Sequence, residues 1–398
     1  MTLPRIAIVG AGPGGLVAAI SARRLGLEPD VFEQAPAFHH VGGAIGMQSN
    51  GMQALDAIGV LESFRPKLCF TQHAVIEAPP GRVVAEMDMS SGDVPYPGFA
   101  VVERYVLQNH LVDALSAVGG RVQHGMRCES ATMSNDRVEL RFQNGLRSQY
   151  DVVIACDGVN SPTRDSMRIP TKRIAPGEAY LRVVCDVPHP DPSRIGEFWA
   201  EDGRRVGLFP LIGDRTYMFC TAPLREWKEV RTHRLQEWLR SWSDFGDIVV
   251  QMFASVKDWQ SAVYDELTDL RAERWQRGPL FLVGDSAHAM TPNLGQGANS
   301  AMVDAVVLMR LLSDGLREHR TFDEIGTRYE EIRRPFVTRV QDYALRGGAA
   351  ARWTSGVARG FRNFMLRNVL SVKPLARSSA RIASGFNPRE QTYLTPLG

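Results

Sequence analysis

The chain has 398 residues, enough for two domains or one large domain with an excursion, and enough to bury a core without disulfide or metal staples. Its apolar and charged fractions, 44% and 23%, are those of an ordinary soluble globular protein, and a net charge of +2 gives no argument for a nucleic-acid partner. The charge is unevenly spread, however. Residues 343–389 hold nine Lys/Arg and no Asp/Glu, which leaves residues 1–342 at about −6 once Glu390 is counted. Cys69, Cys128, Cys156, Cys185 and Cys220 are odd in number and show no C-x-x-C spacing, so they read as reduced thiols of a cytoplasmic protein. The apolar start, Ile6 to Ile20, is broken by glycines and lacks a basic leader, so it is not read as a signal peptide. No run approaches the length of a transmembrane helix.

Arg5 to Val9 is almost wholly apolar and ends at glycine, the pattern of a buried parallel strand. Leu16 to Leu25 reads as a helix and Pro29 to Glu33 as the next strand, completing a βαβ unit. Between strand and helix, Gly10, Gly12 and Gly15 stand at G-x-G-x-x-G spacing, with Pro13 and Gly14 inside the turn. The first glycine permits the turn, the second lets backbone approach a pyrophosphate, and the third lets the helix pack on the strand. The N–H groups that open the helix then face the phosphates. Glu33 closes the second strand, where a carboxylate accepts from ribose hydroxyls. Up to here FAD, NAD and NADP are equally compatible.

Residues 41–46 read as a glycine-rich loop, and Asn50 to Ile58 as a helix capped by Asn50. Residues 68–100 read as strands and loops, Val106 to Ala117 as a helix behind Arg104, and Val122, 137–142 and 150–155 as strands. Beyond about 165 short strands alternate with turns, at 180–186, 196–200, 207–210 and 216–221, with a hairpin signal at Gly213-Asp214. Residues 171–270 therefore read as an antiparallel sheet domain. Leu280 to Gly284 returns to the buried-strand pattern, Gln296 to Leu312 is a long helix, and the chain is helical from about 325 almost to its end.

Two later stretches change the nucleotide reading. Asp157-Gly158 ends the strand at 155, and Gly284-Asp285-Ser286-Ala287-His288 ends the strand at 282 and leads into Gly295-Gln296-Gly297. A site that returns to its ligand near residue 285 has wrapped a long one, which favours a flavin dinucleotide over nicotinamide alone. The run from Asp151 to Arg164, the run from Leu282 through Pro292, Gly295, Gly297 and Asn299 to Asp304-Ala305, Arg104 with Leu107 and Leu111, and Tyr329 with Arg333-Arg334-Pro335 resemble the single-component flavoprotein monooxygenases, the aromatic hydroxylases typified by salicylate and hydroxybenzoate hydroxylases. The likeness spans residues 5 to about 340.

That resemblance implies an α/β fold: a Rossmann-like FAD-binding domain (1–70, 101–170 and 271–340), an inserted antiparallel substrate domain (71–100 and 171–270) and a C-terminal helical region (341–398). It implies an enzyme that uses O2 and NADPH or NADH, the latter docking transiently, to hydroxylate an aromatic or heteroaromatic small molecule through a C(4a)-hydroperoxyflavin. FAD would be held by Gly10, Gly12, Pro13, Gly14, Gly15, Glu33, Gln34, Ala44, Arg104, Cys128, Asp157, Gly158, Asp285, Pro292, Gly295, Gln296, Gly297, Ala298 and Asn299. Arg164 would meet the nicotinamide phosphates. Pro292 would flank the ring, and Tyr217, Arg182 and His73 are candidates to assist a phenolic substrate, with Arg182 alternatively holding a carboxylate. His288 reads as a packed structural histidine, and Asp304 as a surface residue or a helix partner for a basic group. Epoxidation, Baeyer–Villiger insertion, polyprenyl reduction and a non-catalytic flavin holder are the other readings. A monomer or a homodimer is compatible with all of them.

Near the end, Val357, Phe361, Phe364, Met365, Val369 and Val372 recur at roughly helical spacing, with Arg359, Arg362, Arg367 and Lys373 interleaved. The preferred reading is a helix whose apolar side covers the acidic body. The other is a contact to a membrane surface or an acidic partner through 355–398.

Overall fold

The computed structural model describes residues 4–38, 43–90, 94–260, 262–369 and 373–397. Its centre is a six-stranded sheet in the order 276–277, 280–282, 152–155, 6–9, 29–32, 122–123, parallel except for the first pair. Strand Ile6–Val9 is buried along its whole length because both sheet faces are covered. The helix Pro13–Arg24 packs on the long helix Gly297–Arg317, where a Cβ on Gly14 would stand 3.1 Å from Ala301 Cβ. A separate three-stranded sheet, 128–134, 137–142 and 147–150, lies beside this layer.

The second sheet has seven strands in the order 263–266, 179–185, 215–222, 205–211, 194–199, 73–78, 82–88. The hairpin at Gly213-Asp214 forms, with Leu211 paired to Arg215. Two features depart from the expected antiparallel domain. Strands 194–199 and 73–78 run parallel, since each returns to the sheet from a different excursion of the chain. Residues 227–255 supply helices whose Trp227, Trp242, Phe245 and Phe253 form a second core with the sheet's outer face.

Other local expectations are corrected too. Ala44–Met47 is a strand rather than loop, because it pairs with Phe99–Glu103; residues 41 and 42 lie outside the described residues. Asn50 lies inside helix Ser49–Ala57 rather than capping it, and its side chain bonds Gln296 instead. The helix Phe322–Ala351 starts at a capping box between Thr321 and Glu324. At the C-terminal helix Gly356–Phe364 the expected covering face is inverted. Val357, Phe361 and Phe364 are exposed while Arg362 is buried. Val372 lies outside the described residues. Among the described residues no helix is long and apolar enough to cross a membrane.

Candidate active site

The parallel strands 6–9, 152–155 and 280–282 end side by side, and the turns that follow them meet around one cavity of about 630 Å³. That is the size class of a ligand site. Gly12, Pro13, Gly14 and Gly15 form one wall, Gly158 and Val159 a second, and Gly284 and Asp285 a third. Ala44, Arg104, Pro292, Gly295, Gly297 and Ala298 complete the lining on this side.

Gly10 adopts φ +100°, and a Cβ there would sit 2.3 Å from Cys156 O; at Gly15 it would sit 1.9 Å from Gly10 O. Both are packing glycines that hold strand, turn and helix together. Gly12 differs, since a Cβ there would meet no atom within 4 Å. The space beside it is free for a ligand. Gly12 also caps the helix without a side-chain acceptor, so the first-turn N–H groups face that space.

Asp285 is exposed on the cavity wall and has no hydrogen-bond partner among the described residues. Desolvation by the surrounding protein pushes its pKa up, and His288, Arg104 and Arg182 pull against that. Asp157 is braced on one oxygen by Thr163, whose N–H and Oγ1 lie at 3.1 and 2.7 Å, while its other oxygen is buried without a partner. An open cradle at Gly12, free helix N–H groups and an unsatisfied carboxylate fit a pyrophosphate-linked, polyhydroxylated cofactor.

Several expected contacts lie elsewhere. Arg164 is fully buried and donates to Val159 O and Ser286 O, so it ties the second turn to the third and reaches no ligand. The guanidinium on the cavity wall is Arg173, which donates to Asn160 Oδ1 and Val159 O. Gln296 and Asn299 are buried and point away from the cavity. Gln296 bonds Gln48, Asn50 and Ala383 O, and Asn299 donates to Gly46 O and Gly295 O, so both fix the 292–297 turn in place. Glu33 accepts from Ala11 N and Ala35 N at 2.9 Å and so braces the fingerprint turn; Gln34 is exposed. Cys128 is buried against Ser130 O, and its burial raises the thiol to about 12. Neither Glu33, Gln34 nor Cys128 belongs to the cavity wall.

On the sheet side, Arg182, Val263, Asp265 and Leu267 face the cavity, with Arg182 paired to Asp265 at 3.0 Å. Behind them runs an aromatic row. Phe99, Phe209 and Tyr217 are neighbours, with Phe209 also against Phe219 and Phe219 stacked on Tyr180. Tyr217 is off the wall itself, and burial pushes its hydroxyl up to about 12 despite nearby Arg182. His73 is exposed at the start of strand 73–78, away from the cavity, because that strand sits near the far edge of the sheet. A polar knot missed in the sequence joins sheet to turn: buried Arg205 donates to Tyr180 Oη, Asn293 Oδ1 and Glu197. Its members come from strands and a loop far apart in the chain, and no local motif announces them.

Behind the third turn lies a buried charge network. Asp304 Oδ2 accepts from Gly284 N at 3.0 Å and meets His288 Nε2 at 2.6 Å, while Arg333 donates to Oδ1 at 2.7 Å and pairs with Glu390. Asp304 is thus no surface residue, and its network sets the backbone from which Asp285 projects.

A family model described as an FAD binding domain matches residues 4–344, and the chain belongs to that family. It is an FAD-dependent monooxygenase, with FAD as its cofactor. It is 29% identical over 382 residues to aurachin C monooxygenase/isomerase of Stigmatella aurantiaca, covering 94% of this chain and 96% of that one. It is 30% identical over 353 residues to 3-amino-4-hydroxybenzoate 2-monooxygenase of Streptomyces cremeus, with 86% of each chain covered. Its fold matches Klebsiella pneumoniae HpxO complexed with FAD and uric acid at a TM-score of 0.79 and 23% identity, over 99% of this chain and 98% of that one.

Proposed function

We propose that this enzyme hydroxylates an aromatic or heteroaromatic small molecule held between the FAD ring and the seven-stranded sheet, using O2 and NADH or NADPH. The carrying observation is that one cavity has the dinucleotide turn at Gly12 on one side and Arg182, Asp265 and Leu267, backed by the aromatic row, on the other. When bound, FAD supplies hydride acceptance and oxygen activation. The residues of this chain supply position, charge and dryness.

Gly297 and Ala298 open the helix Gly297–Arg317 on the cavity wall, and their end of the helix favours negative charge on the ring. Asp285 accepts from a cofactor hydroxyl. Arg182 holds an anionic phenolate or carboxylate of the substrate. Tyr217, protonated at neutral pH, acts through Arg182 and the aromatic row rather than as a base. Arg173 meets the phosphates of the transient coenzyme in the role the resemblance gave to Arg164. The five free thiols support a reducing, cytoplasmic setting.

The test is a screen of hydroxybenzoates, hydroxypyridines and quinolones for stimulated NADH or NADPH oxidation, with mass detection of one added oxygen from labelled O2. Flavin-loaded protein that no such compound stimulates, while the flavin still cycles with dithionite and air, would reject the reading.

A further inference from the structure

The C-terminal helix Gly356–Phe364 shows its apolar side to water. Val357 is 85% exposed, Phe361 58% and Phe364 57%, and Trp353, in the loop just before the helix, is also exposed. Within the helix, Val357, Phe361 and Phe364 are spaced by four and three residues, so they form one stripe. The opposite side is pinned to the body. Arg359 pairs with Glu201 at 2.6 Å. Arg362 is buried, donates to Ala350 O and Ala351 O, and lies 5.0 Å from the Trp199 ring centroid. The helix therefore cannot roll its stripe inward without breaking these contacts. It also lies beyond the stretch matched by the FAD-binding family, and none of its residues lines the cavity.

Large apolar side chains grouped on a surface mark a contact. Charge distinguishes between occupants. A second copy of the chain, meeting this one about a two-fold axis, would bring the same patch against itself. Two stretches of nine Lys/Arg and no acid would then face each other. An anionic bilayer attracts that stretch and repels the remaining body, which carries about −6. The same field turns the stripe towards the lipid.

We propose that helix Gly356–Phe364 docks this enzyme on an anionic lipid surface, with Val357, Phe361 and Phe364 entering the acyl boundary and the net positive charge of 343–389 drawing this end of the molecule towards the headgroups. The experiment is flotation of the FAD-loaded full chain with vesicles of phosphatidylcholine containing phosphatidylglycerol, and with vesicles of phosphatidylcholine alone. The chain should float with the anionic vesicles, and raising salt to about 0.5 M should release most of it. Phe361→Ser with Phe364→Ser should reduce binding roughly tenfold or more. Flavin absorbance and thermal midpoint should be unchanged, since neither ring is packed in the core. Absence of binding, equal binding to neutral vesicles, or equal binding by the double variant would overturn the proposal. So would a wild-type dimer, seen by sedimentation equilibrium, that the double variant dissolves, because the occupant would then be a second copy.

Discussion

The two walls of the cavity are built on different principles. The cofactor wall is mostly backbone: glycine turns at strand ends, helix N–H groups and a few carboxylates, each within a short motif. The sheet wall is made of side chains such as Arg182, Val263, Asp265 and Leu267, brought together at one edge of the seven-stranded sheet. A backbone wall tolerates little change but accepts one ligand throughout a family. A side-chain wall can be rewritten residue by residue, and on the proposed function that is where substrate choice resides.

Substitutions can break this contrast at several strengths. Gly15→Ala should have the largest effect, since its Cβ would lie 1.9 Å from a backbone oxygen. Little or no yellow, folded protein should be recovered. Gly12→Ala sharpens the point: with no protein atom within 4 Å, the apoprotein should melt as before while FAD affinity falls about tenfold or more. Equal losses in both would show that Gly12 too is only a packing glycine.

Asp304→Asn comes next. Breaking a buried charge network costs about 3 kcal/mol, read in denaturant unfolding of the apoprotein. Burial alone would raise the Asp304 carboxyl, but His288 and Arg333 overcome that and hold it at about 2, below the ordinary 3.8. A depressed carboxylate contributes stability that is present above about pH 4 and lost as pH falls towards 2. Glu390, raised by burial, acts in the opposite sense. The expected signature is therefore the difference between native and variant chains, which should shrink across that acid window.

On the sheet wall, Arg182→Ala should lower kcat/KM for the aromatic substrate about 10- to 100-fold, the worth of a charge-assisted hydrogen bond. Flavin absorbance should be unaltered, and loss of flavin would put Arg182 on the cofactor side. Arg173→Ala should raise KM for NADH or NADPH about tenfold with little change in kcat. His73→Ala should leave steady-state rates within about twofold, since an exposed residue off the cavity touches no reacting group.

The difference between the walls also governs what could be read from residues alone. The βαβ start, the turns at Gly10, Asp157 and Asp285 and their convergence around one cavity were legible because glycine spacing, buried-strand patterns and strand-end carboxylates are local features. The same local logic assigned Arg164 to the nicotinamide phosphates and Gln296 and Asn299 to the cofactor, whereas the structure buries all three in bonds to the protein. A polar residue inside a motif can serve the ligand or brace the turn that serves it, and only neighbours such as Ser286 O, Gln48 and Gly46 O decide which.

By itself the sequence determined the fold class, the cofactor and the strand ends that meet at one cavity, because these depend on backbone geometry and periodicity over a few residues. Only the tertiary structure decided that Arg173 rather than Arg164 faces the cavity, that Asp304 is buried beneath the third turn, and that the helix Gly356–Phe364 presents its phenylalanines to solvent. Those outcomes depend on which distant surfaces meet, and a hydrophobic spacing pattern records an amphipathic helix without recording which side of it the body will occupy.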